Sequence, residues 1–127
     1  MPKNNKEAVQ EFDMRCTQLM QLMKKWNAPI YLTDGFRSLQ EQADLYALGR
    51  TKPGKIVTKA KPGSSAHNYG LARDYCFLLP HGKITYTGDW NLLGKACKQV
   101  GLSWGGSWLR FKDRPHCEFP NWKKFKK

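Results

Sequence analysis

Apolar residues recur at Val9, Phe12, Cys16, Leu19, Met23 and Trp26, in alternating steps of three and four. That spacing predicts an amphipathic helix of roughly five turns, capped near Asn5, whose apolar stripe goes to a core. The period then changes. Ile30 to Thr33 reads as a short strand before an Asp34-Gly35 turn. Ser38-Leu39-Gln40-Glu41 has the form of a capping box, so a second helix should start at Ser38 and end at Gly49. Leu71 to Leu79 reads as a central strand. Pro80-His81-Gly82-Lys83 follows as a hairpin turn into Ile84-Thr85-Tyr86. Asp89 can cap a third helix that ends near Gly101. Leu102 to Trp104 and His116 to Phe119 are the remaining strands, with a Gly105-Gly106 turn after the first. The pattern is α+β: helices packed on a small antiparallel sheet.

Residues 50 to 65 break the periodicity. They are rich in Lys, Gly, Pro and Ser, and they read as a long loop of the kind that carries function in compact domains. The chain has 127 residues, enough for one compact domain and too few for two, so residues 1–127 are expected to form a single domain. No apolar run approaches the roughly 20 residues of a membrane span. No apolar segment follows the polar start Met1-Pro2-Lys3-Asn4-Asn5-Lys6, so no signal peptide is expected. Synthesis in the cytoplasm is the corresponding expectation, with release by another agent if the protein acts outside.

Charge narrows the partners. With 22 Lys+Arg against 10 Asp+Glu, the net charge is +12, which points to a polyanion. Nucleic acid, an anionic membrane surface and an anionic cell wall all qualify, but no recognised nucleic-acid motif accompanies the charge. The tail, Trp122 to Lys127, combines lysines with Trp122 and Phe125, and it resembles segments that bind anionic surfaces by charge and aromatic insertion. The alternative is a solvated terminus. Cys16, Cys76, Cys97 and Cys117 form no C-x-x-C pair, and they read as small buried hydrophobes with free thiols. Cys117 or Cys76 could serve as a soft metal ligand, but on a strand Cys117 points away from His116.

Two segments carry candidate chemistry: Ser65-Ala66-His67-Asn68-Tyr69-Gly70-Leu71-Ala72-Arg73-Asp74 and Asp113-Arg114-Pro115-His116. Zn²⁺ favours imidazole and carboxylate ligands, and a catalytic zinc needs three from the protein. His67, Asp74 and His116 supply that set, which leaves Asp113 to move a proton. Asp113 could instead pair with Arg110 or Arg114. Glu118 is a competing base, because on a strand it shares a face with His116. Arg37 could clamp a substrate carboxylate, or pair with Glu41 or Asp44. Trp104 and Trp108 could wall a groove or sit in the core. His81, in its turn, reads as a bystander.

The pattern S-x-H-x-x-G-x-A-x-D followed by D-x-P-H resembles the zinc peptidases that include the D-alanyl-D-alanine carboxypeptidases and dipeptidases. The chain looks most similar to the L-alanyl-D-glutamate peptidase branch, which contains many phage endolysins. Gly35-Phe36-Arg37-Ser38, Glu41-Gln42, Leu45-Tyr46, Gly49-Arg50-Thr51, Pro53-Gly54, Val57-Thr58 and Trp104-Gly105-Gly106 support the likeness, which runs from about residue 33 to 119. The resemblance implies one zinc on His67, Asp74 and His116, with Asp113 as base. It places Arg37 and Ser65 at the substrate, and it implies cleavage of the L-Ala-D-Glu bond of the peptidoglycan stem peptide after release to the wall. Many relatives carry a separate wall-binding domain, whereas residues 1–127 are expected to be a single catalytic domain without one, acting as a monomer. Ser107, Cys117 and Tyr75 depart from the family pattern without removing a ligand or the base. The competing readings are a D-Ala-D-Ala carboxypeptidase of wall remodelling and a non-catalytic zinc-holding module on the same fold.

Overall fold

A computed structural model describes residues 2–126. Helix α1 (Asn5–Lys25) is capped by the Asn4 side chain, which accepts from the Glu7 amide, one residue earlier than the stripe suggests. Its predicted core positions Phe12, Cys16, Leu19 and Met23 are fully buried. Strand β1 (Ile30–Asp34) follows, then α2 (Leu39–Ala47), where Ser38 and Glu41 make the expected capping box. This helix stops at Leu48 in extended backbone rather than at Gly49. The Gly49 amide instead bonds the Lys52 carbonyl and turns the chain into the long loop.

Strand β2 (Ala72–Leu78) is the centre of the sheet. It pairs antiparallel with β1 on one side and with β5 (His116–Glu118) on the other. The sheet order is β1-β2-β5-β4, where β4 is Ser103–Trp104, and the short β3 (Ile84–Thr85) pairs with the far end of β2. Helix α3 (Trp90–Val100), capped by Asp89 and closed by Gly101 at φ 82°, packs against α1. The fold is therefore the α+β arrangement the pattern predicts.

Strand alternation sorts the two faces of β2. Tyr75 and Phe77 join the core beneath α1 and α3, and Arg73 on the same side reaches Asp13 of α1 at 3.0 Å. Asp74 points the other way, toward the cleft. Register places Asp34 of β1 and His116 of β5 directly beside it. A bulge between Leu32 and Asp34 re-aims the end of β1 at this point.

The tail differs from its expectation as an inserting anchor. Residues Trp122–Phe125 form a 3₁₀ turn, with both rings buried. Trp122 stacks on Tyr69 at 5.8 Å, Phe125 packs on Phe119, and Asn5 donates to the Phe125 carbonyl at 3.2 Å. Rings committed to the core cannot enter a lipid surface. Only Lys123, Lys124 and Lys126 of the described tail residues face solvent.

Candidate metal centre and active site

The His67 turn is built from local hydrogen bonds. Ser65 caps a 3₁₀ turn over Ala66–Tyr69, and its hydroxyl accepts from the His67 amide at 3.3 Å. Gly70 closes the turn at φ 72°, a backbone conformation that glycine adopts without strain, and β2 begins two residues later. Asn68 is buried and spends its side chain on the same task. It accepts from the Gly63 amide and donates to the Arg37 carbonyl. The Arg37 amide in turn donates to the His67 carbonyl at 2.9 Å. The β1–α2 connection and the His67 turn are thus stapled together.

His116 arrives by a different route. Gly105 lies so close to the Asp113 carbonyl that a Cβ there would collide with it, and the Asp113 amide donates to the Gly105 carbonyl at 3.1 Å. The His116 amide then donates to the Asp113 carbonyl at 3.1 Å. This turn brings Asp113 and His116 to one mouth of the cleft.

Among the described residues, His67, Asp74 and His116 form a group whose donor atoms lie within 4.8 Å of one another. Asp74 Oδ1 is 3.4 Å from His67 Nε2 and 3.1 Å from His116 Nδ1. Tetrahedral zinc with bonds of ~2.0–2.1 Å holds its ligands about 3.3 Å apart, so the two separations suit that ion. The two imidazoles present different nitrogens. His67 Nδ1 lies 2.7 Å from the Gly35 carbonyl and must donate to it, which leaves Nε2 with a free lone pair. His116 Nε2 lies 2.7 Å from Glu118 Oε1, which leaves Nδ1 to face Asp74.

Electrostatics follow this geometry. Burial disfavours the charged form of Asp74, but its close contacts with His116 and His67 overcome it and hold the carboxyl well below its usual range. Burial opposes charge on His116 too, yet Asp74 and Glu118 on its two nitrogens raise its pKa to about 9. Two carboxylates therefore call for positive charge at this point. Asp113 shifts the other way: burial and then the negative Asp74 raise its pKa. A carboxyl shifted upward is better matched to taking a proton near neutrality.

Several open points of the sequence resolve here. Arg37 pairs with neither Glu41 nor Asp44. It forms an ion pair with Asp34 and donates to Gln42 Oε1 at 2.8 Å. Glu41 is occupied with the Ser38 amide. Asp113 makes no ion pair with Arg110 or Arg114 among the described residues. Gln42 was missed as a site residue. It is fully buried and ties Arg37 to the Ala60 carbonyl, at 2.7 Å from its Nε2, and so fixes the long loop as a wall. The signal for it was its place in the second turn of a helix beginning beside Arg37.

The cleft has a volume of about 970 Å³. Arg37, Ser65, His67, Asp74, Asp113, His116 and Glu118 all border it, together with Lys59, Phe111 and Trp108. Trp108 lies over the His116 ring at 5.1 Å, while Trp104 packs toward the core and donates to the Arg114 carbonyl. Lys59 stands 3.4 Å from the centre of the Phe111 ring and links the two loops across the opening. Among the described residues, no helix is long and apolar enough to cross a membrane.

Comparison with known proteins reaches the same segments. Residues 58–119, which contain His67, Asp74, Asp113 and His116, match the family model described as D-alanyl-D-alanine carboxypeptidase. The chain is 47% identical to the peptidoglycan L-alanyl-D-glutamate endopeptidase CwlK of Bacillus subtilis, over 72% of this chain and 62% of that protein.

The chain is similar to this peptidase family over just under half of its length.

The chain spans about three-fifths of the length of that curated relative. Solved structures agree at the level of fold. The L-Ala D-Glu endopeptidase ChiX of Serratia marcescens superposes with a TM-score of 0.61 at 20% identity, over 94% of this chain and 88% of its own. The VanB-type D,D-pentapeptidase VanY, solved with Zn(II), gives a TM-score of 0.64 at 16% identity, over 88% and 72%.

Proposed function

We propose that this chain is a zinc-dependent peptidase that cleaves the L-Ala-D-Glu bond of the peptidoglycan stem peptide. The observation that carries the reading is the convergence of His67, Asp74 and His116 on one point of a cleft that Asp113 also borders. The choice of bond rests on the 47% identity to an endopeptidase of that specificity.

In this reading His67, Asp74 and His116 would hold one zinc. When bound there, the ion would supply Lewis acidity toward the scissile carbonyl and a water. Asp113 takes the proton of the attacking water and returns it to the leaving amine. Burial serves that role, because it raises the carboxyl toward the pH at which the proton must be exchanged. Arg37, with Asp34 and Gln42 already fixing its plane, presents its remaining N–H groups to substrate carboxylate or carbonyl oxygens. Ser65 borders the cleft and adds a hydroxyl to the substrate wall.

The biological role that fits is a phage endolysin released to an anionic wall. The support is the sequence resemblance to that branch and the net charge of +12. Digestion of purified sacculi tests the reading. New L-Ala C-termini and D-Glu N-termini, identified by mass spectrometry and lost with a chelator, are the expected products. Release of terminal D-Ala alone would assign the chain to carboxypeptidase chemistry instead.

A further inference from the structure

Two sulfurs outside the cleft meet in the core. Cys97 lies on α3 and Cys117 on β5, both fully buried, with their Sγ atoms 3.0 Å apart. That gap exceeds an S–S bond of ~2.05 Å by only about 1 Å, a distance that small side-chain rotations can close. Of the other cysteines, Cys16 of α1 is buried near the pair and Cys76 sits on the cleft-side face of β2. Neither has a sulfur contact among the described residues. Cys117 follows His116 directly, and strand alternation sends its side chain to the helix side of the sheet while His116 faces the cleft.

We propose that Cys97 and Cys117 are a latent disulfide site, which closes in oxidising surroundings and pins the His116 strand to α3. The step is thiol–disulfide exchange with a small-molecule disulfide such as oxidised glutathione. One cysteine thiolate attacks the glutathione disulfide, forms a mixed disulfide and expels one glutathione thiolate. The second cysteine thiolate then attacks the protein sulfur, forms the Cys97–Cys117 bond and expels the second glutathione. The released thiolates take up the protons lost by the cysteines, so the protein is oxidised by two electrons and one glutathione disulfide is reduced. The physiological setting rests on the proposed action at the wall, outside the reducing cytoplasm, where disulfides persist.

Burial decides when the bond forms. Cys97 and Cys117 are both fully buried, so neither sulfur is open to a reagent in the folded chain. Thiols shielded in this way react slowly. Closure therefore belongs to folding or to local opening. Once closed, the bond is shielded from reductants by the same packing. The residues are 20 apart in sequence, so the cross-link closes a loop of moderate size in the unfolded chain.

The test refolds the full chain from denaturant in oxidised and reduced glutathione, and in parallel in dithiothreitol, then alkylates free thiols under denaturing conditions. The oxidised sample should retain two alkylatable thiols of the four present, with a Cys97–Cys117 link in the unreduced peptide map. Its thermal midpoint should rise by roughly 10 °C. Cys97→Ala should abolish both the link and the redox dependence. Four alkylatable thiols after oxidative refolding, or a link that uses Cys16 or Cys76, overturns the proposal. Sacculus digestion on the same samples reads the peptidase separately, so failure of that activity leaves the thiol count to stand or fall by itself.

Discussion

Removing Glu118 separates a residue that orients a ligand from one that does chemistry. In the structure its Oε1 lies 2.7 Å from His116 Nε2, in a pocket where the Glu118 side chain is only 17% exposed. The contact fixes the proton on Nε2, leaves the Nδ1 lone pair for the metal and sets the ring plane. Carboxylate partners of this kind are typically worth ~10–100-fold in metal affinity, or about 1.4–2.7 kcal/mol. Glu118→Ala should weaken zinc binding by that factor, read by competition against a chromophoric chelator. Glu118→Gln keeps an acceptor for the Nε2 proton and loses only the charge, so its deficit should fall nearer the small end. At saturating zinc, both variants should turn over at close to the normal rate, because Asp113 is untouched. A fully zinc-loaded Glu118→Gln with no activity would make Glu118 the base and refute the reasoning. Unchanged zinc affinity in Glu118→Ala would refute the orienting role.

Four other outcomes follow from the same geometry. Asp113→Asn should keep normal zinc stoichiometry while turnover falls ~10²–10⁴-fold, measured on a soluble stem peptide. Gly105→Ala should destabilise the chain by about 1–3 kcal/mol in denaturant melts and lower activity, since the new methyl pushes against the Asp113 carbonyl. Gln42→Leu should cost about 1–3 kcal/mol by stranding the Ala60 carbonyl, and should raise KM by freeing Arg37. Phe125→Ala should cost about 3–5 kcal/mol, with equal losses on sacculi and on soluble peptide; a defect confined to sacculi would restore the tail as a targeting element.

Much of the fold was legible because its signals are local. The stripe from Val9 to Trp26 and the Ser38–Glu41 capping box depend on neighbours within one or two turns, and both took the form expected of them. The chemistry-bearing segments were visible as residue types, but their convergence depends on strand pairing across 42 residues, between Asp74 and His116. The partner of Arg37 was misjudged because helix spacing suggested Glu41 and Asp44, whereas the bulge at the end of β1 swings Asp34 under the guanidinium. The tail was misjudged because its lysines dominate its composition. Trp122 and Phe125 are three apart, one turn of a 3₁₀ helix, so both rings fall on the side that meets the core. Period-two alternation had already paired Glu118 with His116; what it lacked was the 2.7 Å contact between their side chains.

The central claim is that one zinc on His67, Asp74 and His116 makes this cleft a peptidase. Zinc titration of the chelator-stripped chain tests it most directly, with stem-peptide cleavage followed at each addition. The account predicts no cleavage at the start, a linear rise to one equivalent of zinc per chain and a plateau beyond it, with His67→Ala flat throughout. Full activity after exhaustive chelation, or a His67→Ala variant that follows the same curve, would contradict it.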